Sequence, residues 1–133
     1  MAVKNNLQVA KQLLEWNKVN LVSSSNIQKN DLLELFAKNF TVIANGRTYD
    51  ANFDNYVEFL DQFKANIKSI DYDIYEFHQT HDAIIMPMTA HITRLSGVLQ
   101  NYEAILILKF DEASKITLWQ EVYLEVDCNQ SAG

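Results

Sequence analysis

The run KITLWQEVYLEV at residues 115–126 constrains this chain more than any other stretch. Its odd positions carry Thr117, Trp119, Glu121, Tyr123 and Glu125; its even positions carry Ile116, Leu118, Gln120, Val122, Leu124 and Val126. Period-two alternation among β-branched and aromatic residues predicts a β-strand. Both faces are substantially apolar, which suits a central strand covered on each side. A tryptophan and a carboxylate then share one face of a strand that must be buried. Glu121 is the chemical oddity of the chain.

Three more strands lead up to this one. Residues 70–79 alternate as Ile70, Tyr72, Ile74 and then change phase to Tyr75 and Phe77, the mark of a β-bulge. Residues 83–95 and 98–110 follow, joined by Ser96-Gly97, and the turn 111–114 leads into the last strand. Pro87 has no backbone donor and is expected at an edge or a bulge. Upstream, residues 40–44 and 47–49 flank Asn45-Gly46, the dipeptide that accepts the positive φ angles of a type I′ turn. Pairing residue 44 with 47 and 42 with 49 puts Val42 and Tyr49 on one face.

Helices account for the remainder. Apolar residues at 7, 10, 14 and 21, with Leu13 beside them, make one helical face, and Trp16 lies off that stripe. Residues 25–28 resemble a capping box for a short second helix that buries Leu32, Leu35 and Phe36. Asn52 can cap a third helix over residues 53–67, with Phe53, Tyr56, Val57, Leu60, Phe63 and Ile67 spaced as a single stripe. Three N-terminal helices on a curved antiparallel sheet make an α+β fold, a cone with a cavity at its wide end.

Composition narrows the function. The chain is 133 residues and 48% hydrophobic, enough for its own core, with a net charge of −6 and no basic run. Nucleic acid is therefore not an expected partner. The longest aliphatic run, residues 104–108, is too short to cross a bilayer, so no membrane partner is expected. One cysteine, Cys128, stands in the polar C-terminal tail 127–133. It can form no internal disulfide and suits a reducing, cytoplasmic location. Residues 1–6 lack the apolar run of a secretion signal. His78 and His81 share no strand face with an acid, so no metal site is expected.

The element order, the run KFDEASKI at residues 109–116 and the pattern Trp119-x-Glu121-x-Tyr123 resemble the nuclear transport factor 2-like superfamily. That group includes ketosteroid isomerases, polyketide cyclases, scytalone dehydratase and limonene epoxide hydrolase. The resemblance covers residues 7–126 and implies a single domain over residues 1–126. It implies no cofactor, and it places an isomerase's general base at Ala44, its oxyanion tyrosine near Trp16 and its protonated aspartic acid at Leu106. None of these groups survives here, which argues against ketosteroid isomerisation. The epoxide hydrolases share an aromatic-x-acid pair that matches Trp119-Gln120-Glu121, but residues 83–110 hold no Arg-x-Asp to supply its partner acid, which weakens the hydrolase reading.

Register decides which side chains face the cavity. Pairing Asp111 with Ser114 sets Tyr102, Ala104 and Leu106 opposite Tyr123, Glu121 and Trp119. A two-residue turn at Ser96-Gly97 sets His91 opposite Tyr102. The expected wall is Trp16, Tyr49, Tyr56, Tyr102, Trp119 and Tyr123 as ligand-binding residues, with Glu121 and His91 as the catalytic pair. Such a pocket suits a small apolar or aromatic ligand. Two functions fit it: an isomerase-, cyclase- or hydrolase-type enzyme, or a non-catalytic binding or interaction module. Ile105, Ile107, Leu118, Val122 and Leu124 lie on the opposite face and are expected to hold a homodimer together.

Overall fold

The computed structural model describes residues 5–126. Helix α1 spans Asn6–Asn20 and opens on a capping box in which Asn5 and Gln8 exchange hydrogen bonds of 2.9 and 3.0 Å. Its buried stripe is Val9, Ala10, Leu13, Leu14 and Asn17. Helix α2, Lys29–Leu33, begins one turn later than the serine-rich box predicts, because the Asp31 carboxylate accepts from the Gln28 backbone N–H at 2.9 Å. Helix α3, Phe53–Lys64, is capped by Asn52 as expected and buries Tyr56, Leu60 and Lys64. It stops short of Ile67, which is fully buried as the first residue of a strand.

The strands are β1 Phe36–Ala44, β2 Arg47–Asn52, β3 Ile67–Ile74, β4 His78–Gln79, β5 Ala83–Arg94, β6 Leu99–Phe110 and β7 Ile116–Val126. Their order across the sheet is β2-β1-β7-β6-β5-β3, with β4 paired to β5. The last strand is central, as its two-sided pattern requires. Every pairing is antiparallel except β1 with β7, which is parallel, so the sheet is mixed rather than purely antiparallel. The open sheet curves over the helices as an α+β cone.

The Asn45-Gly46 hairpin forms with the expected register, Ala44 opposite Arg47 and Val42 opposite Tyr49, and both turn residues have positive φ (48° and 85°). The phase change after Ile74 is also real. Ile74 pairs with Met88, but His78 then pairs with Ile85, so one residue is gained across the interruption. Pro87 stands opposite that interruption, where its carbonyl accepts from Tyr75 N–H at 2.9 Å.

Two turns differ from expectation, with different consequences. Between β5 and β6, Thr93 pairs with Leu99 and Gly97 takes φ 92°, so the loop is three residues closed by a left-handed glycine. The slip is one residue, and it exchanges the faces of β5 relative to β6. Between β6 and β7, Phe110 pairs with Ile116 around a bulge, and Ser114 takes φ 59°. The Asp111 carboxylate fastens that loop by accepting from Ala113 and Lys115 N–H at 2.9 and 3.0 Å. This slip is two residues along most of the pair, so the faces are preserved.

The core lies between helices and sheet, around Leu13, Leu32, Leu35, Ile67, Ile84, Met86, Leu106, Leu108 and Ile116. The tail 127–133, with Cys128, lies outside the described residues. Among the described residues no helix is long and apolar enough to cross a membrane.

Candidate functional site

Strand β7 delivers Trp119, Glu121 and Tyr123 to the concave face, because their neighbours across β6 are Leu108, Leu106 and Ala104. On the other side, β1 sets Val42 against Trp119 and Ala44 against Glu121. Glu121 therefore sits between Ala44 and Leu106, the two positions where the isomerase resemblance expects a base and an acid. The chain has one carboxylate in the row and apolar groups on both flanks.

Neither flank offers a hydrogen bond. Among the described residues, the one donor that reaches the Glu121 carboxylate is the Trp119 indole N–H, at 3.2 Å. Burial raises the Glu121 pKa above the ordinary glutamate value, and the Trp119 hydrogen bond offsets part of that rise. The charge of Glu121 is felt by two phenols. Burial pushes the Tyr56 and Tyr72 hydroxyls far up, and the Glu121 charge adds to both shifts.

The aromatic residues expected around the site are on the concave side, in two groups. Tyr56 is buried with Phe36 and Phe40, with ring centroids 5.4 and 4.9 Å away. Tyr49 stacks toward Phe59 at 5.5 Å and donates its hydroxyl to the Asn55 carbonyl at 3.1 Å. Toward the other end Tyr102 and Tyr123 meet edge to face at 5.8 Å. Trp16 is half-buried at the edge of the α1 stripe and packs against the core. Glu125 shares the concave face of β7 but is exposed at the rim, 3.5 Å from the Gln100 amide.

His91 is not in this site. The three-residue turn pairs it with Asn101, so it projects from the convex face of the sheet, across from Glu121. Its Nδ1 lies 2.6 Å from Asn101 Oδ1 and its Nε2 lies 2.8 Å from Asp73 Oδ2. Only the imidazolium donates to both oxygens. These two hydrogen bonds raise its pKa, the Asn101 contact most. The expected Glu121–His91 catalytic pair is thus replaced by a carboxylate on one face and a structural histidine on the other.

Two residues of the site went unpredicted. Tyr72 faces inward from β3, opposite Ala90, which in turn pairs with Tyr102. Asn17 is 3% exposed on the inner stripe of α1, and its amide is directed at the Tyr72 hydroxyl, with no better-aligned acceptor for Nδ2 among the described residues. The Asn17 side chain lies beside the Tyr72 hydroxyl and pulls the pKa of that group back down, against the effect of burial. The sequence signal for both was present: a polar residue in phase with Ala10, Leu13 and Leu14, and a tyrosine in the Ile70–Tyr72–Ile74 alternation.

Clefts open at the surface of the described residues, two of them beside α1. One, of about 370 Å³, is lined by Val9, Glu34, Ala113, Ser114 and Lys115. The other, of about 290 Å³, runs between α1 and β3 and is bounded by Leu14, Lys18, Tyr72, Ile74 and Phe77 among others. Tyr72 thus has one side on this cleft and its hydroxyl toward Asn17. Among the described residues no group of three or more His, Cys, Asp or Glu side chains is placed to hold a metal ion.

No protein-family model and no curated protein sequence matches this chain. Solved structures do. A Shewanella denitrificans protein named as a SnoaL-like polyketide cyclase superposes with TM-score 0.73 at 13% identity, covering 90% of each chain. An LEH-like epoxide hydrolase of M. tuberculosis gives TM-score 0.70 at 10% identity, over 90% of this chain and 82% of that one. A protein of unknown function from Exiguobacterium sp. 255-15 gives TM-score 0.68 at 16% identity, over 90% and 98%. Its name assigns it to the nuclear transport factor 2-like proteins. The likeness is one of fold.

Proposed function

We propose that this chain, which has the nuclear transport factor 2-like fold, binds a small, flat, mostly apolar ligand on its concave face and uses Glu121 to move a proton on it. The observation that carries the reading is Glu121 itself. A carboxylate held among apolar neighbours by one indole hydrogen bond, with its pKa raised by burial, is poised for general acid–base chemistry. Trp119, Tyr102 and Tyr123 supply the flat, apolar walls that such a ligand needs. Structures of similar fold are named as a proposed cyclase, a proposed isomerase and an epoxide hydrolase, so the fold is compatible with an enzyme. Ketosteroid isomerisation is outside the proposal, because Ala44 and Leu106 neither accept nor donate a proton.

One observation favours a second reading, a binding module without turnover. With His91 on the convex face, no imidazole and no second carboxylate meets Glu121 among the described residues. Turnover across a panel of ketones, epoxides and polyketide-like compounds separates the two, with Glu121→Gln alongside. Ligand binding kept and turnover lost in the variant supports the enzyme. Binding with no turnover in either protein supports the module.

The same reading includes a homodimer formed through the convex face. Ile105, Val122 and Leu124 are 50%, 63% and 68% exposed there, with Ile107 and Leu118 beside them half-buried. An apolar patch of this extent is uncommon on a monomer and is self-complementary across a twofold axis. A cytoplasmic location belongs to the reading too, since one cysteine allows no internal disulfide.

A further inference from the structure

The cleft between α1 and β3 lies at the edge of the sheet, three strand positions from β7 and Glu121. One wall is a face of α1, where Lys11, Leu14 and Lys18 follow one another by helical turns and the buried Leu14 forms the floor. The facing wall is Tyr72 and Ile74, both inward residues of β3. Phe77 closes one end. An unbroken β3 would set Phe77 opposite Ile85, on the convex face. The residue gained after Ile74 turns it toward α1 instead. The interruption of the strand thus places an aromatic ring at the mouth of an apolar cleft.

The charges on the rim are unequally matched. Lys18 Nζ lies 3.1 Å from Glu15 Oε1 and 3.7 Å from Asp71 Oδ1, so that ammonium is balanced. Glu15 is also one turn from Lys11, but Lys18 holds it, and lysine before glutamate is the weaker order for such a pair. Glu76, beside Phe77, is taken up by His78 at 2.7 Å. Lys11 has no carboxylate partner among the described residues. Its Nζ stands 5.2 Å from the centre of the Phe77 ring, which attracts the charge but gives its three N–H donors no oxygen.

We infer that this cleft is a second ligand site, and that it takes a small organic acid, a carboxylate carried on one or two aromatic rings. Lys11 receives the carboxylate while its charge stays over Phe77, and Leu14, Tyr72 and Ile74 cover the rings. The cleft volume of about 290 Å³ is at the lower limit of small-molecule sites, roughly 300–1,000 Å³, so the body of the ligand is short. An amine is disfavoured, because Lys11 repels it and both carboxylates at the far end already hold Lys18. The site uses neither Glu121 nor turnover, so it stands or falls apart from the proposed function.

The test is calorimetric titration with naphthalene-1-acetate and naphthalene-1-acetamide, which share a shape and differ in charge. The acid is expected to bind about threefold more tightly, as an exposed ion pair allows. That preference should fade in about 1 M salt, where such a pair is screened. Lys11→Gln, at an exposed position, should remove the preference, and Lys11→Arg should keep it. In proton–nitrogen NMR spectra the acid should shift the amide signals of Lys11, Ile74 and Phe77, which locates it in this cleft rather than on the concave face. Equal binding of acid and amide, a preference that survives Lys11→Gln, or shifts confined to β6 and β7 would each overturn the inference. So would tighter binding of 1-naphthylmethylamine than of the acid, or no binding of either naphthalene compound.

Discussion

Replacing Glu121 with glutamine should stabilise the protein at neutral pH, and the gain should vanish in acid. The structure supplies the sign. The folded pKa of Glu121 is raised above its ordinary value of 4.5, so the folded state prefers the protonated acid. Stability attached to this group is complete below pH 4.5 and is lost as pH rises through the folded pKa. Glutamine keeps the shape and the Trp119 hydrogen bond to a carbonyl oxygen while removing the charge. An ionised carboxylate with one hydrogen bond and apolar neighbours on both sides forgoes most of its hydration. Removing it should contribute about 1–2 kcal/mol at pH 8. For a domain of this size that is a rise of about 3–8 °C in melting temperature. Urea denaturation of both proteins between pH 4 and pH 8 reads the difference directly. A Glu121→Gln variant that is equally or less stable than the parent at pH 8, with a difference that does not change with pH, would refute the reasoning. Glu121 would then be a solvated residue and no acid–base candidate.

Other perturbations test other parts of the molecule. Val122→Glu, on the convex face, should turn a dimer into a monomer in light scattering at micromolar concentration; a parent that is already monomeric there removes the dimer. Lys64→Ala should lower stability by about 1–3 kcal/mol, because Lys64 is 7% exposed and its Nζ donates to the Ser25 carbonyl at 2.8 Å, tying α3 to the loop before α2. An unchanged urea midpoint would show that the tie is dispensable. His91→Gln should destabilise slightly at pH 5.5, by less than about 1 kcal/mol given its exposure, and not at pH 8.5. Its raised pKa makes the stabilisation complete below 6.5 and lost above the folded value. A loss that grows with pH contradicts that sign.

How far the sequence reveals this structure depends on whether each feature is written locally. Asn45-Gly46 is read correctly because few residues other than Asn and Gly accept positive φ at both turn positions. The stripes of α1 and α3 are legible because burial repeats with the helical period. The parallel pairing of β1 with β7 is not legible: about seventy residues separate the partners, and no turn joins them. The face of Glu121 survives an error in its register, since the bulge at Lys109–Phe110 and the loop after it displace the pairing by an even number. The face of His91 does not. Ser96-Gly97 has the composition of a two-residue turn, and the left-handed Gly97 that draws Leu95 into the loop is a property of conformation rather than composition. Asn17 was legible in principle, as a polar residue in an apolar stripe, but no local rule says that its amide meets the Tyr72 hydroxyl.

The position of His91 also fixes the form of any pH–rate profile. A catalytic carboxylate and imidazole in one pocket would titrate as a pair and produce a bell. Here the sheet separates them. The charge of Glu121 acts on the phenols of Tyr56 and Tyr72, both raised far above neutrality by burial, and Tyr123 with Tyr102 beside it shares the same face. Glu125 and Arg47 lie on the same side of the sheet but at its exposed margins. One ionisation is left between pH 4 and pH 9. Activity should therefore follow a single sigmoid, rising with pH if Glu121 acts as base and falling if it acts as acid, with an inflection above 4.5 in either case. His91→Gln should leave that curve where it is. A bell-shaped profile, or an inflection that moves when His91 is replaced, would mean that a second ionisable group shares the chemistry and that Glu121 is not the sole proton carrier.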